Sequence, residues 1–255
     1  MTCGEIPPLP KNCTGLTIQE RFREIAVTFP ERRALLEGTS AITYGELEAR
    51  SNRIAHGLRK NGRTEPVPIL CAGSIPAAAA LFGALKAGRG YCLVNPDLPE
   101  IRILDILADL GNPEGLLDEE ASRQLADRGI SLRGRTISVE EAMETFHGSP
   151  PEAAVPSPGP ASVNYTSGST GAPKGVMWHN EAMMLETAIL TKDYGFRSCD
   201  VFALLAPLVR GTPMSLLPAL LNGACLAVYP LKEWGLGPLP KWLEENRVSH
   251  LQLHA

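Results

Sequence analysis

The residues best suited to chemistry lie together at positions 164–175, in the run Asn-Tyr-Thr-Ser-Gly-Ser-Thr-Gly-Ala-Pro-Lys-Gly. Four small hydroxyl residues supply hydrogen-bond donors on short side chains, and three glycines let backbone N–H groups turn towards one point. Lys174 adds one mobile positive charge, which strengthens hydrogen bonds to an anion. The segment therefore predicts a loop that binds a polyphosphate. The predicted binding residues are Thr166, Ser167, Gly168, Ser169, Thr170, Gly171, Lys174 and Gly175.

Three other motifs of similar composition do not match this run. A Walker A loop requires Gly-Lys followed by Ser or Thr, whereas Pro173 precedes Lys174 and Gly175 follows it. A serine hydrolase would need glycines on both sides of its nucleophile, but Ser169 has a serine two positions before it. The dinucleotide fingerprint fails because Leu93 stands where its third glycine belongs. On composition alone, a solvated Gly/Ser linker remains open.

Two capping boxes and an alternation of apolar segments indicate the elements that surround the loop. Thr17 with Glu20, and Thr43 with Glu46, each predict the start of an amphipathic helix. Short apolar runs then alternate with helical periods, one of which ends at Gly88 as a left-handed cap would end it. Such alternation is typical of βαβ units. The predicted fold class is α/β, with layered, mainly parallel sheets covered by helices.

A proline-rich stretch at 148–160 separates the predicted domains. It contains five prolines and no helical or strand period, so it predicts a linker or loop. The phosphate loop follows it, between predicted strands at 162–165 and 175–178. The predicted segments are a loose N-terminal arm at 1–15, a first α/β subdomain at 16–147, the linker at 148–160, and a second α/β part at 161–255.

Composition excludes several functional classes. Hydrophobic residues make up 44% of the 255 residues and charged residues 20%, as in ordinary globular proteins. A net charge of −4 provides no positive field for nucleic acid. The uncharged stretch 211–231 is interrupted by prolines, so it predicts a short helix, a turn and a buried strand rather than a membrane span.

Cysteine usage and the N-terminus predict a cytoplasmic location. The first 15 residues contain no continuous apolar region of the kind found in secretory signals. The six cysteines are scattered and form no Cys-x-x-Cys pair, so we expect free, mostly buried thiols.

The run at 165–175 resembles the signature of the adenylate-forming superfamily, which includes acyl- and aryl-CoA ligases and the adenylation domains of nonribosomal peptide synthetases. Two further segments resemble that family in the expected order: Ile-Thr-Tyr-Gly-Glu-Leu at 42–47 and Leu-Lys-Ala-Gly-Arg-Gly-Tyr-Cys-Leu at 85–93. The resemblance covers about residues 16–255 and implies the incomplete N-terminal part of the family's large domain. It favours the phosphate loop over a solvated linker.

The resemblance also implies a reaction. Members of this family join a carboxylate to the α-phosphate of ATP, release pyrophosphate, and usually pass the acyl group to a thiol of CoA or phosphopantetheine. It implies ATP with Mg²⁺, a small carboxylic acid substrate and a carrier-protein domain as partner. The loop's hydroxyl residues and Lys174 would hold the β- and γ-phosphates. No catalytic residue and no protein ligand for a metal follows from it.

Two departures from the family pattern limit this expectation. The family's later motifs, for the adenine ring, the ribose and a C-terminal lysine domain, do not occur in these residues. We therefore expect an N-terminal fragment of an acid–thiol ligase or adenylation domain, not active alone. The alternative is a non-catalytic nucleotide-binding or interaction protein derived from the family.

The second departure concerns the acid. Amino-acid-activating members carry a Phe-Asp-x-Ser-like element, and the corresponding residues 209–212 here are Val-Arg-Gly-Thr. Arg210 would repel an α-ammonium group, which disfavours an ordinary α-amino acid. A solvated loop position for Arg210 stays open.

Overall fold

A computed structural model describes residues 9, 15–60, 62–111, 113–132, 136–151, 159–166, 174–210 and 213–252. Their contacts form two compact units, one from Met1–Glu48 with Glu181–Ala255 and the other from Ala49–Asn180. The first unit combines two separate chain segments, whereas the sequence predicts consecutive ones. The predicted domain boundaries stay a prediction.

Helices and strands alternate along the described chain. The α-helices are α1 (Ile18–Thr28), α2 (Tyr44–Arg59), α3 (Ser74–Lys86), α4 (Glu100–Asp109), α5 (Glu119–Asp127), α6 (Val139–Thr145), α7 (Asn180–Tyr194), α8 (Pro213–Leu220), α9 (Leu231–Trp234) and α10 (Leu239–Glu245). The strands are β1 (Arg33–Glu37), β2 (Ser40–Thr43), β3 (Val67–Leu70), β4 (Tyr91–Leu93), β5 (Gly115–Leu117), β6 (Thr136–Ser138), β7 (Ser162–Thr166), β8 (Lys174–Trp178), β9 (Val201–Leu204), β10 (Cys225–Val228) and β11 (His250–Gln252).

The unit formed by 1–48 and 181–255 contains a sheet of order β11-β9-β10-β1-β2 among the described residues. Its strand pairs are parallel except for the β1–β2 hairpin. All four residues of β10 are buried, as expected for a central parallel strand. Tyr229 and Trp242 pack beside this sheet in one apolar cluster.

The unit at 49–180 contains a sheet of order β6-β5-β3-β4-β7-β8 in the described part. Its pairs are parallel except for β7 with β8. Helix α4 contributes Ile103, Ile106 and Leu107 to a core that also includes β3, β4 and β5 side chains. The predicted α/β fold with mainly parallel sheets is confirmed.

Both predicted capping boxes are confirmed. Thr17 precedes α1, where its backbone N–H donates to Glu20 Oε2 at 2.9 Å and its hydroxyl accepts from the Glu20 N–H. Thr43 and Glu46 make the same reciprocal hydrogen bonds at the start of α2. Gly88 follows α3 with φ of 79°, as the predicted left-handed cap requires.

The apolar stretch 211–231 also folds as predicted, since α8, a turn and the buried strand β10 fall within it. None of the helices that the structure describes is long and apolar enough to cross a membrane.

The β1–β2 hairpin was not predicted from the sequence. Its strands are short, and β1 is stabilised by parallel pairing with β10, nearly 200 residues later in the chain. The thiol prediction is wrong at one position. Cys71, Cys92 and Cys225 are free and buried, but Cys199 is disulfide-bonded. The separation of two cysteines along the sequence does not give their distance in the folded protein.

Candidate phosphate-binding site

The predicted loop is carried by an antiparallel hairpin of β7 and β8. Thr166 lies opposite Lys174 in the register, and Tyr165 lies opposite Gly175. Each strand is one residue longer than predicted, so that Thr166 and Lys174 form the last pair before the loop. Both are exposed. The hairpin thus presents a hydroxyl and an ammonium group side by side at the end that leads into the loop.

The remaining predicted residues divide into two groups. Gly175 lies in β8, next to Lys174. The residues of the loop itself lie outside the described part of the chain; they are Ser167, Gly168, Ser169, Thr170 and Gly171. Their role in binding phosphate stays a prediction.

Gly175 is packed closely by side chains of the neighbouring strand. A Cβ atom at this position would lie 3.2 Å from Val163 Cγ1 and 3.3 Å from Tyr165 Cζ. These distances are shorter than ordinary van der Waals contacts, so a larger residue here would need Val163 and Tyr165 to shift by a few tenths of an ångström. The Tyr165 ring therefore lies over the backbone of β8 at Gly175, the residue that follows Lys174.

The Tyr165 hydroxyl connects the hairpin to helix α4. It donates a hydrogen bond to Asp109 Oδ2 at 2.5 Å, and Asp109 is the last residue of α4. Partial burial of the ring raises the pKa of Tyr165, and the carboxylate of Asp109 raises it further. Sequence reasoning missed Asp109, because an aspartate at a helix C-terminus belongs to no motif.

Strand β7 is held in the sheet through a close approach at Gly90. The Tyr91 N–H donates to the carbonyl of Ala161 at 3.0 Å. A Cβ atom at Gly90 would lie 2.2 Å from the carbonyl oxygen of Pro160, so only glycine allows this approach. The run at 85–93 therefore has a structural reason for its second glycine.

The arginine between those glycines is buried. Arg89 lies 3.7 Å from Glu114, with both side chains 1% exposed, and its Nε donates to the Glu65 carbonyl at 2.8 Å. Burial lowers the pKa of Arg89, and the charge of Glu114 opposes this effect. The pair joins the residue before β5 to the turn before β4.

The histidine on β11, His250, has the surroundings of a structural residue. The ring of His250 packs against Phe196 and Phe202, with centroid distances of 4.9 and 4.7 Å, and its Nε2 lies 3.5 Å from Asp200 Oδ2. These contacts support the structural role that its place on an apolar strand indicates. In the part of the chain that the structure describes, no three His, Cys, Asp or Glu residues are grouped to hold a metal ion.

The fold and hairpin define an α/β protein that displays a lysine and a threonine at one end of a sheet. Comparison with known proteins gives the family. Residues 22–254 match the model of the AMP-binding enzyme family, and the chain belongs to that family.

The chain is similar to segments of much longer curated proteins. It is 32% identical over 239 residues to a plipastatin synthase polypeptide of Bacillus subtilis, covering 92% of this chain and 9% of that protein. It is 31% identical over 250 residues to a linear gramicidin synthase polypeptide of Brevibacillus parabrevis, covering 93% of this chain and 5% of that protein. The chain thus spans less than a tenth of either relative.

Solved structures show the same fold. The Klebsiella oxytoca NpsA N-terminal subdomain in complex with 3-hydroxybenzoyl-AMSN superposes with a TM-score of 0.77 at 25% identity, over 93% of this chain and 59% of that one. VinN in complex with 3-methylaspartate has a TM-score of 0.78 at 21% identity, over 94% of this chain and 66% of that one.

Proposed function

We propose that this chain binds the phosphates of MgATP as part of an enzyme that adenylates a carboxylic acid. One observation carries the proposal: in a chain that belongs to the AMP-binding enzyme family, Lys174 and Thr166 lie opposite each other, exposed, at the end of the β7–β8 hairpin. An ammonium and a hydroxyl group are donors suited to phosphate oxygens.

The proposed reaction balances without any further reactant. A carboxylate oxygen bonds to the α-phosphorus of ATP, and the bond from that phosphorus to the bridging oxygen breaks. Pyrophosphate leaves with the electron pair. Negative charge therefore grows on the departing group, where Lys174, Thr166 and the intervening loop would meet it with positioned donors. Mg²⁺ accompanying ATP would neutralise part of that charge.

The acid is proposed from one sequence position and from the relatives. NpsA was solved with 3-hydroxybenzoyl-AMSN and VinN with 3-methylaspartate, so chains of this fold bind an aryl-acyl compound in one case and an amino acid in the other. Arg210 occupies the position where amino-acid-activating members carry an aspartate. A cation there favours an acid without an α-ammonium group, such as an aryl or aliphatic acid.

The acceptor and the cellular location are proposed on family grounds. Relatives among peptide synthetases support transfer of the acyl group to the thiol of a carrier-protein domain, with CoA as the alternative acceptor. The cytoplasmic location stays a prediction.

Calorimetric titration with MgATP tests the proposal. The 255-residue chain should bind MgATP in competition with pyrophosphate, without completing adenylation alone. Lys174→Ala removes a charged donor and should weaken binding about tenfold or more. Lys241→Ala is the matched control, because it removes the same charge from an exposed site on α10. It should bind like the unaltered chain.

Two results would contradict the proposal. One is the absence of any heat of MgATP binding in a well-folded sample of the unaltered chain. The other is equal binding by Lys174→Ala and Lys241→Ala. Binding of MgATP together with pyrophosphate exchange by these 255 residues would refute only the expectation of inactivity.

A further inference from the structure

We propose that Asp109 and Tyr165 act as a positioning pair, which holds the stem of the phosphate loop and so sets the place of Lys174. This inference rests on the proposed function and adds to it residues that do not touch the phosphates. Neither residue is among those predicted to bind phosphate from the sequence.

The ring of Tyr165 contacts Gly175 on the neighbouring strand. They form a cross-strand pair, and the ring carbon Cζ of Tyr165 occupies space within 3.3 Å of where a Gly175 Cβ would stand. An aromatic ring over a glycine covers an otherwise bare stretch of strand and stabilises its pairing. The ring thereby replaces the side-chain contact that Gly175 cannot make.

Strand β8 has few other contacts that would hold it in place. In the described sheet β8 is an edge strand that pairs with β7, and its residues from Lys174 to Met177 are exposed. An edge strand with little buried side-chain area has a weakly determined register. The contact of Tyr165 with Gly175 therefore helps to align β8 with β7 at the end that leads into the loop.

A hydrogen bond to helix α4 fixes the Tyr165 side chain. Free rotation of the Tyr165 side chain would uncover Gly175, but its hydroxyl donates to Asp109 at the C-terminus of α4. Helix α4 is fixed in turn by Ile103, Ile106 and Leu107, which are buried in the core of this unit. A packed helix thus holds the ring, and the ring holds the strand that begins with Lys174.

The sign of the change in phosphate binding distinguishes a positioning role of Asp109 from direct electrostatic repulsion. Asp109 is a carboxylate in the same unit as the loop, so its charge alone would repel a polyphosphate. If charge were its main effect, removing it would strengthen binding. If it positions Tyr165, removing it should weaken binding. The two explanations predict changes of opposite sign.

The experiment measures binding of inorganic tripolyphosphate and of MgATP by calorimetry, with hydrogen exchange of the β8 amides as an independent readout. Asp109→Ala and Tyr165→Phe should each weaken binding about three- to tenfold, and the double variant no more than either one. Exchange of the amides at 174–178 should quicken in both. Asp109→Asn retains an acceptor oxygen and should restore binding.

Asp105→Ala is the matched control, since Asp105 is an exposed carboxylate one turn earlier on α4. It should leave both readouts unchanged. Equal or tighter binding by Asp109→Ala, or unaltered β8 exchange in Tyr165→Phe, would overturn the inference. Tyr165→Phe retains the aromatic ring and leaves α4 unchanged, so it tests the inference even if Asp109→Ala folds poorly. Absence of binding by the unaltered chain would instead reject the proposed function, and the inference with it.

Discussion

At the scale of single residues, the run at 42–47 consists of structural positions. Thr43 and Glu46 cap α2, and the backbone of Gly45 approaches Pro30, whose carbonyl oxygen would lie 3.1 Å from a Cβ atom there. Tyr44 is fully buried, and its hydroxyl donates to the carbonyl of Ala224 at 2.6 Å. The hydroxyl of Tyr44 thus links residues 1–48 to residues 181–255 within the same unit.

Removal of that hydroxyl should destabilise the protein. Tyr44→Phe leaves the Ala224 carbonyl without this donor, at a cost of about 1–2 kcal/mol in the free energy of unfolding. Tyr194→Phe is the control, because that side chain is 66% exposed. Urea denaturation at neutral pH measures both. A Tyr44→Phe variant as stable as the control would show that the hydrogen bond contributes nothing.

The same substitution has a pH signature. Burial raises the pKa of Tyr44 well above its ordinary value of 10.0. Above about pH 10 the unfolded chain loses the phenolic proton while the folded chain retains it, so stability falls with rising pH. Tyr44→Phe should reduce this alkaline loss. Its stability deficit relative to the unaltered chain should therefore shrink above pH 10, which denaturation at about pH 7 and about pH 10.5 can measure.

At the scale of elements, α2 and α3 pack so closely that one contact point requires glycine. A Cβ atom on Gly83 would lie 2.6 Å from Ile54 Cγ2 and 3.2 Å from the Ser51 carbonyl oxygen. Two polar residues of α2 also face α3, where Lys86 Nζ donates to Ser51 Oγ at 2.6 Å and to Asn52 Oδ1 at 2.8 Å. These buried hydrogen bonds link the two helices.

Gly83→Ala tests the packing. Helix propensity alone favours alanine by about 1 kcal/mol, but the overlap with Ile54 should make the variant less stable by about 1–3 kcal/mol. The double variant with Ile54→Ala should lose less stability than the sum of the two single variants. Thermal denaturation of all three provides the cycle. Stabilisation by Gly83→Ala would mean that the helices are separated more widely than described.

At the scale of the whole molecule, β8 exposes an apolar edge. Met177 is 64% exposed on this edge strand of the described sheet, and Val176 is exposed as well. Exposed strand edges with apolar side chains promote pairing between chains. The same strand that presents Lys174 is therefore expected to be a site of self-association.

Met177→Lys should reduce that self-association, because a charge on the edge opposes intermolecular strand pairing. The control is Leu236→Lys, which makes the same kind of change at a residue 67% exposed outside any strand. Light scattering during size-exclusion chromatography should show fewer oligomers for Met177→Lys than for Leu236→Lys. Equal oligomer content in both variants would assign the association to another surface.

Features that depend on neighbouring residues could be predicted from the amino-acid sequence. Capping boxes at Thr17 and Thr43, the α/β alternation and the family signature at 165–175 all rest on spacings of a few positions, where the chain's own geometry brings side chains together. Tertiary structure alone decided the contacts of Asp109 with Tyr165 and of Gly83 with Ile54, and the pairing of β1 with β10. Such pairs lie tens to nearly two hundred residues apart, and only the packing of whole elements sets the distance between them.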